Sequence, residues 1–160
     1  MPPPGCAALT SKVYLVDTNV ISQGAPARRS AATALADWMD RHSDELFLSA
    51  VTIAEIEEGI AKARREGAAR KADDLSAWLD AVLHLYGNRV LALDAELARG
   101  LGQLSDHARA LGRPPGLADL IIAATAVHHG LTILTRNVKH FAPLGVTVLD
   151  PFTALPAEAP

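Results

Sequence analysis

One cysteine in 160 residues, Cys6, excludes an internal disulfide framework, and the lack of clustered Cys and His argues against structural zinc. The compartment this composition leads us to expect is the reducing cytoplasm. Aromatic residues are scarce at 4%, so a stacking platform for single-stranded nucleic acid is not expected. Long apolar runs are missing too: the most apolar stretch, Leu117 to Val127, is too short for a bilayer and carries Asp119. Met1 to Lys12 has no basic region followed by a long apolar one, so we expect no secretory signal. Positive charge is not in excess, and a net charge of −3 does not suit a protein that holds nucleic acid by sheer number of phosphate contacts. What is present, 49% hydrophobic and 21% charged residues, is the balance of a soluble globular chain. Its length fits one domain that buries roughly two-thirds of its unfolded surface.

Hydrophobic periodicity alternates between short strands and helices. Val13 to Val16 reads as a buried strand, followed by a short helical turn at Val20 and Ile21 and a break at Gly24-Pro26. Ser30 to His42 repeats apolar residues at helical spacing, Leu46 to Leu48 reads as a second strand, and Ser49 opens a helix running to about Arg65. Ala69 to Leu85 is helical, Val90 to Leu93 a strand, and Asp94 caps a helix reaching Leu111. After the Gly112–Gly116 break, Leu117 to His129 is the most apolar helix and so the most buried. Thr132 to Thr135 is a strand, Val138 to Phe141 a helical turn, and Val146 to Leu149 the last strand. Strands alternating with helices predict a parallel sheet covered on both faces. Residues 1–12 and 153–160 read as tails around a single domain at 13–152, with no internal repeat.

Asp17 ends the first strand and is followed by Thr18 and Asn19. In open α/β sheets ligands bind beyond the carboxyl ends of the strands, so a carboxylate there stands where a metal or phosphate site is built. Asn137 follows the Thr132–Thr135 strand through Arg136, Glu55 lies early in the helix after the second strand, and Asp119 lies in the first turn of the most buried helix. All four are expected on one rim. Three carboxylates brought together repel one another unless a cation shares the site. Magnesium, with manganese able to substitute, fits hard oxygen donors, and such an ion activates water and neutralises phosphate in phosphodiester cleavage.

Each residue also has a plainer use. Thr52-Ile53-Ala54-Glu55 fits a capping box, Asp119 suits a helix dipole, and Asn137 can cap a short helix. Glu57 and Glu58 read as a solvated face, His128 and His129 as a helix end without catalytic role. The basic run of Lys62, Arg64, Arg65, Arg70 and Lys71 reads as a solvated helix end.

Val16-Asp17-Thr18-Asn19-Val20-Ile21-Ser22 resembles the opening motif of PIN-domain nucleases. Ser49 to Ile56 followed by Gly59 resembles their second motif, Ala118-Asp119 with Ile121 to Ala126 the third, and Thr135-Arg136-Asn137 with Phe141 the fourth. The order agrees, the resemblance runs from about Val13 to Phe152, and the nearest subgroup is the VapC-type toxins, FitB-like proteins among them. It implies a three-layer α/β/α sandwich around a short, mainly parallel sheet, and a Mg2+- or Mn2+-dependent endoribonuclease. It also implies a homodimer and a small VapB-like antitoxin partner, with DNA met only through that antitoxin. By motif match Asp17, Glu55 and Asp119 are the metal-binding acids, Asn137 joins them at the catalytic site, and Thr18 and Arg136 contact the RNA substrate. Asn137 stands where many members carry a fourth acid, and from this departure we expect one well-held metal, with any second ion bound weakly or only with substrate phosphate. Two other readings stay open: a silent PIN-like module that binds RNA or protein, and a phosphatase with Asp17 as nucleophile, which would usually carry an aspartate where Asn19 stands.

Overall fold

The computed structural model describes residues 12–28, 33–112 and 114–157; most of the expected first tail, the start of the helix expected from Ser30 and residues 158–160 lie outside them. Five short strands, β1 (Tyr14–Val16), β2 (Leu46–Ser49), β3 (Val90–Leu91), β4 (Thr132–Leu134) and β5 (Val148–Leu149), form one sheet in the order β3-β2-β1-β4-β5. Every pairing is parallel, with Tyr14 beside Leu46 on one side and Thr132 on the other. β1 is central, and its three residues are at most 2% exposed, which is why the strand is an unbroken apolar run.

Side chains alternate across β1, and that alternation divides the core. Tyr14 and Val16 pack with Trp38 of α2 (Thr33–Arg41), Ile56 and Ile60 of α3 (Ala50–Arg65), and Leu79 and Val82 of α4 (Ala69–Tyr86). Leu15 and Ile133 face the other way, onto Ala108 of α5 (Ala95–Ala110), Ile122, Ala123 and Ala126 of α6 (Leu117–His129), and Phe141 of α7 (Val138–Phe141). Helices therefore cover both faces, as the alternation of strands and helices predicts. The remaining helix, α1 (Thr18–Ile21), is a single turn directly after β1. Residues Leu120 to Ala126 are buried all round α6, as its composition predicts. No helix among the described residues is long and apolar enough to cross a membrane.

The edge strands are shorter than their apolar runs. β3 stops at Leu91 rather than Leu93, and β5 begins at Val148 rather than Val146. Each has a partner on one side only, so the last apolar residue of the β3 run and the first of the β5 run lie outside the ladder; Leu93 is 45% exposed.

The chain lays β1, β2 and β3 outward in one direction, then returns to place β4 and β5 on the other side of β1. Strand order thus reverses between β1 and β4, and the crevice beyond their carboxyl ends is where this architecture binds ligands.

Candidate active site

Asp17 and Thr135 are the first residues past β1 and β4, and the Val16–Leu134 register sets them side by side. Asp17 is 4% exposed and Thr135 fully buried. The Thr135 hydroxyl donates to Asp17 Oδ2 at 2.7 Å, Asn19 Nδ2 donates to the same oxygen at 2.9 Å, and the Thr18 amide donates to Asp17 Oδ1 at 2.7 Å. Asn19 also donates to Thr135 Oγ1 at 3.2 Å and accepts from the Arg136 amide at 3.1 Å, so one side chain laces the two strand ends together. Asp17 caps α1 as well, accepting backbone bonds from Val20 and Ile21.

Glu55 comes from the second turn of α3. The capping-box reading of Thr52 to Glu55 does not hold: Ser49 is the cap, its hydroxyl accepting from the Val51 amide, and Thr52 is a fully buried residue within the helix. Glu55 instead accepts a short hydrogen bond from the Thr18 hydroxyl, through Oε2. Thr18, expected to touch substrate, also orients an acid.

Asp119 reaches the rim for a different reason from Glu55. Its helix follows α5 rather than a strand, and its amino end lies at this rim because α6 leads back into β4. Its Oδ2 lies 2.9 Å from His140 Nδ1 of α7. Asn137 stands at the start of α7, makes no side-chain capping bond, and donates its amide to Thr135 Oγ1 at 2.9 Å. Arg136 is exposed, with its guanidinium over the Phe152 ring, 3.6 Å from the centroid. His128 and His129 are exposed at the far end of α6 from Asp119.

The three acids share one electrostatic environment. Burial pushes the Asp17 carboxyl above its ordinary range; bonds from Thr135, Thr18 and Asn19 act against this, and the charge of Asp119 adds to it. Burial likewise raises Glu55, opposed by the Thr18 hydroxyl and reinforced by the charges of Asp17, Asp119 and Glu58. Among the described residues, no three His, Cys, Asp or Glu side chains are gathered into a ready metal cage. The donor chemistry fits a hard cation all the same. With about four lone-pair positions per carboxylate, three bonds leave Asp17 one site, on Oδ1, while Glu55 Oε1 and Asp119 Oδ1 carry no hydrogen bond. A divalent cation retaining waters accepts such donors and removes the repulsion between them.

Sequence reasoning assigned no role to Thr135, Asn19 or His140. Asn19 and Thr135 carried a signal, since both are polar residues just past strand ends, but their pairing depends on β1 lying beside β4. His140 carries none that points to Asp119, because nothing in the spacing joins α7 to α6.

The PIN domain family model matches residues 14–143. The chain belongs to the PIN domain family. Toxin FitB of Neisseria gonorrhoeae is 34% identical over 142 residues, covering 88% of this chain and 99% of that protein. VapC ribonuclease Y4jK of Sinorhizobium fredii is 34% identical over 141 residues, covering 88% and 98%. Among solved structures, FitAcB from Neisseria gonorrhoeae superposes with a TM-score of 0.75 at 33% identity, over 88% of this chain and 99% of that one. The rim bearing the acids lies within this PIN domain.

Proposed function

We propose that the chain is the ribonuclease toxin of a toxin–antitoxin pair, hydrolysing RNA phosphodiester bonds with Mg2+ or Mn2+. One observation carries the reading: three carboxylates within electrostatic reach of one another flank the β1/β4 switch point of a PIN domain alike along most of its length to a toxin and to a ribonuclease. Asp17, Glu55 and Asp119 would hold the ion, which when bound would supply positive charge to the scissile phosphate and make water a better nucleophile. Thr135 and Asn19 fix the Asp17 carboxylate, Thr18 fixes Glu55, and His140 fixes Asp119. Asn137, at the same rim, offers an uncommitted amide to the phosphate, and Arg136 a cation held in place by Phe152. Net, water adds to phosphorus, the P–O bond to one ribose oxygen breaks, and a proton from the water ends on that oxygen.

The unit that does this spans residues 13–152, works in the cytoplasm as a homodimer, and is held silent by a small VapB-like antitoxin through which alone it meets DNA. A phosphatase nucleophile at Asp17 fits poorly, because the position where such enzymes usually carry a second aspartate is Asn19, whose amide donates to Asp17. A silent binding module fits poorly as well, since concentrated negative charge repels phosphate. The test is the purified chain with RNA and with p-nitrophenyl phosphate, each with Mg2+, Mn2+ or EDTA. RNA cut only with metal, and an untouched monoester, is the expected result. Uncut RNA under all conditions favours the silent module, and a hydrolysed monoester the phosphatase.

A further inference from the structure

A groove runs from the acidic crevice along α3 toward the α3–α4 turn. It encloses about 400 Å3, begins at Thr18 and Glu55, and is lined farther on by Gly59, Lys62, Glu66, Lys71 and Arg28, with three cations to one acid beyond Glu55. We infer that this groove carries the flanking single strand of the RNA substrate, with Lys62, Lys71 and Arg28 receiving phosphates beyond the one that is cut. The inference rests on the ribonuclease reading and gives it a direction: the strand leaves the crevice past Glu55 and follows α3.

Geometry supplies the first support. Glu55, Gly59 and Lys62 share one stripe of α3 at spacings of four and three, and Lys62 lies about 10 Å along the axis from Glu55. Its ammonium therefore meets a neighbouring phosphate and not the reacting one. Lys62 is tied only to Glu66, at 4.0 Å with both side chains well exposed, a pairing too weak to hold it from an anion. Arg28 and Lys71 are exposed and pair with no acid among the described residues.

Two local choices that cost the fold stability have this groove as their common reason. Arg70 and Lys71 occupy the first turn of α4, where the helix dipole disfavours cations; that turn has no acid, and Ala68 before it gives no side-chain cap. The dipole accounts for Lys62, Arg64 and Arg65 at the end of α3, so the solvated-helix-end reading holds for them and fails for Arg70 and Lys71. Gly59 is the other choice. Glycine inside a helix is less stable than alanine, and a Cβ here would meet nothing within 4 Å, so close packing does not require it. Without a side chain the floor stays open between Glu55 and Lys62. Beyond Lys71 the groove passes into a second, of about 640 Å3, lined by Arg70 and Lys71 with one acid, Asp74, so a net positive charge continues past the turn.

Binding of a short fluorescein-labelled single-stranded RNA tests the inference by anisotropy in Mg2+ buffer. The full chain carries Asp17→Asn so that the RNA stays intact. Adding Lys62→Ala with Lys71→Ala should weaken binding about tenfold and flatten the log–log salt dependence by about 0.7 per lost contact. Gly59→Leu should also weaken binding, while its thermal midpoint stays level or rises, because the new side chain stands in open groove. Unchanged affinity and salt slope in both variants, or no RNA binding by the parent, would overturn the inference; the first result would leave the groove to a protein ligand. Binding is read without chemistry, so failure to cut RNA would sink the nuclease reading alone.

Discussion

Asp17 does opposing things in one place: it caps α1, accepts from Thr135 and Asn19, and is raised by burial and by Asp119. A carboxyl whose folded pKa is raised favours the folded state when protonated, so its contribution is present at low pH and is lost as pH rises from the ordinary 3.8 through the raised value. Asp17→Asn removes that loss at almost constant volume. The metal-free variant should therefore unfold at a higher temperature than the metal-free parent at neutral pH, with the gap opening as pH rises above 3.8. Calorimetry across pH checks this; a gap that closes with rising pH would contradict it. Asn137 makes a second residue-scale prediction. Its side chain makes no capping bond, so it is free to meet an ion, and Asn137→Asp should tighten Mn2+ binding in titration calorimetry. Unchanged affinity would place the residue outside the site.

The amphipathic helices were legible from periodicity because each buries one stripe, α6 was legible from its unbroken apolar run, and α6 and α7 have the bounds the sequence predicts. Edge strands were less so, since an apolar run does not reveal where a one-sided ladder starts or stops; β3 ends early and β5 begins late for that reason. The expected helix caps at Ser49 and Asp94 hold, whereas the Thr52 box does not, because Glu55 turns to a hydroxyl on another element. The end of α4 yields a prediction of its own. Tyr86, the last residue of that helix, is 5% exposed, and burial pushes its phenol from 10.0 up to about 12, with Arg89 opposing and Asp40 adding. Its raised pKa contributes stability that is intact below pH 10 and is lost on rising toward 12, up to about 3 kcal/mol. Tyr86→Phe keeps the ring and removes the titration, so urea midpoints of the two proteins should part company above pH 10. Parallel curves would show that the phenol ionises without opposing the fold.

At the scale of the whole molecule, one topological fact organises the site. The reversal of strand order at β1/β4 brings Thr135 to Asp17 across 118 residues of chain, and α6 and α3 deliver Asp119 and Glu55 to the same rim. The acids were legible because a carboxylate near a strand end or a helix start announces its rim without knowledge of strand order. Thr135, Asn19 and His140 were not, because their roles exist only once particular strands and helices are neighbours. The basic groove was hidden for the same reason: Lys62 and Lys71 are unremarkable until α3 and α4 fold into one hairpin. The measurement that bears most directly on the nuclease centre is RNA cleavage in Mg2+ by the parent and by folded Asp17→Asn. If Asp17 holds the ion as proposed, its loss with the fold intact should slow cleavage by at least about a hundredfold. Cleavage by the folded variant at the parent's rate would contradict a catalytic centre built on Asp17.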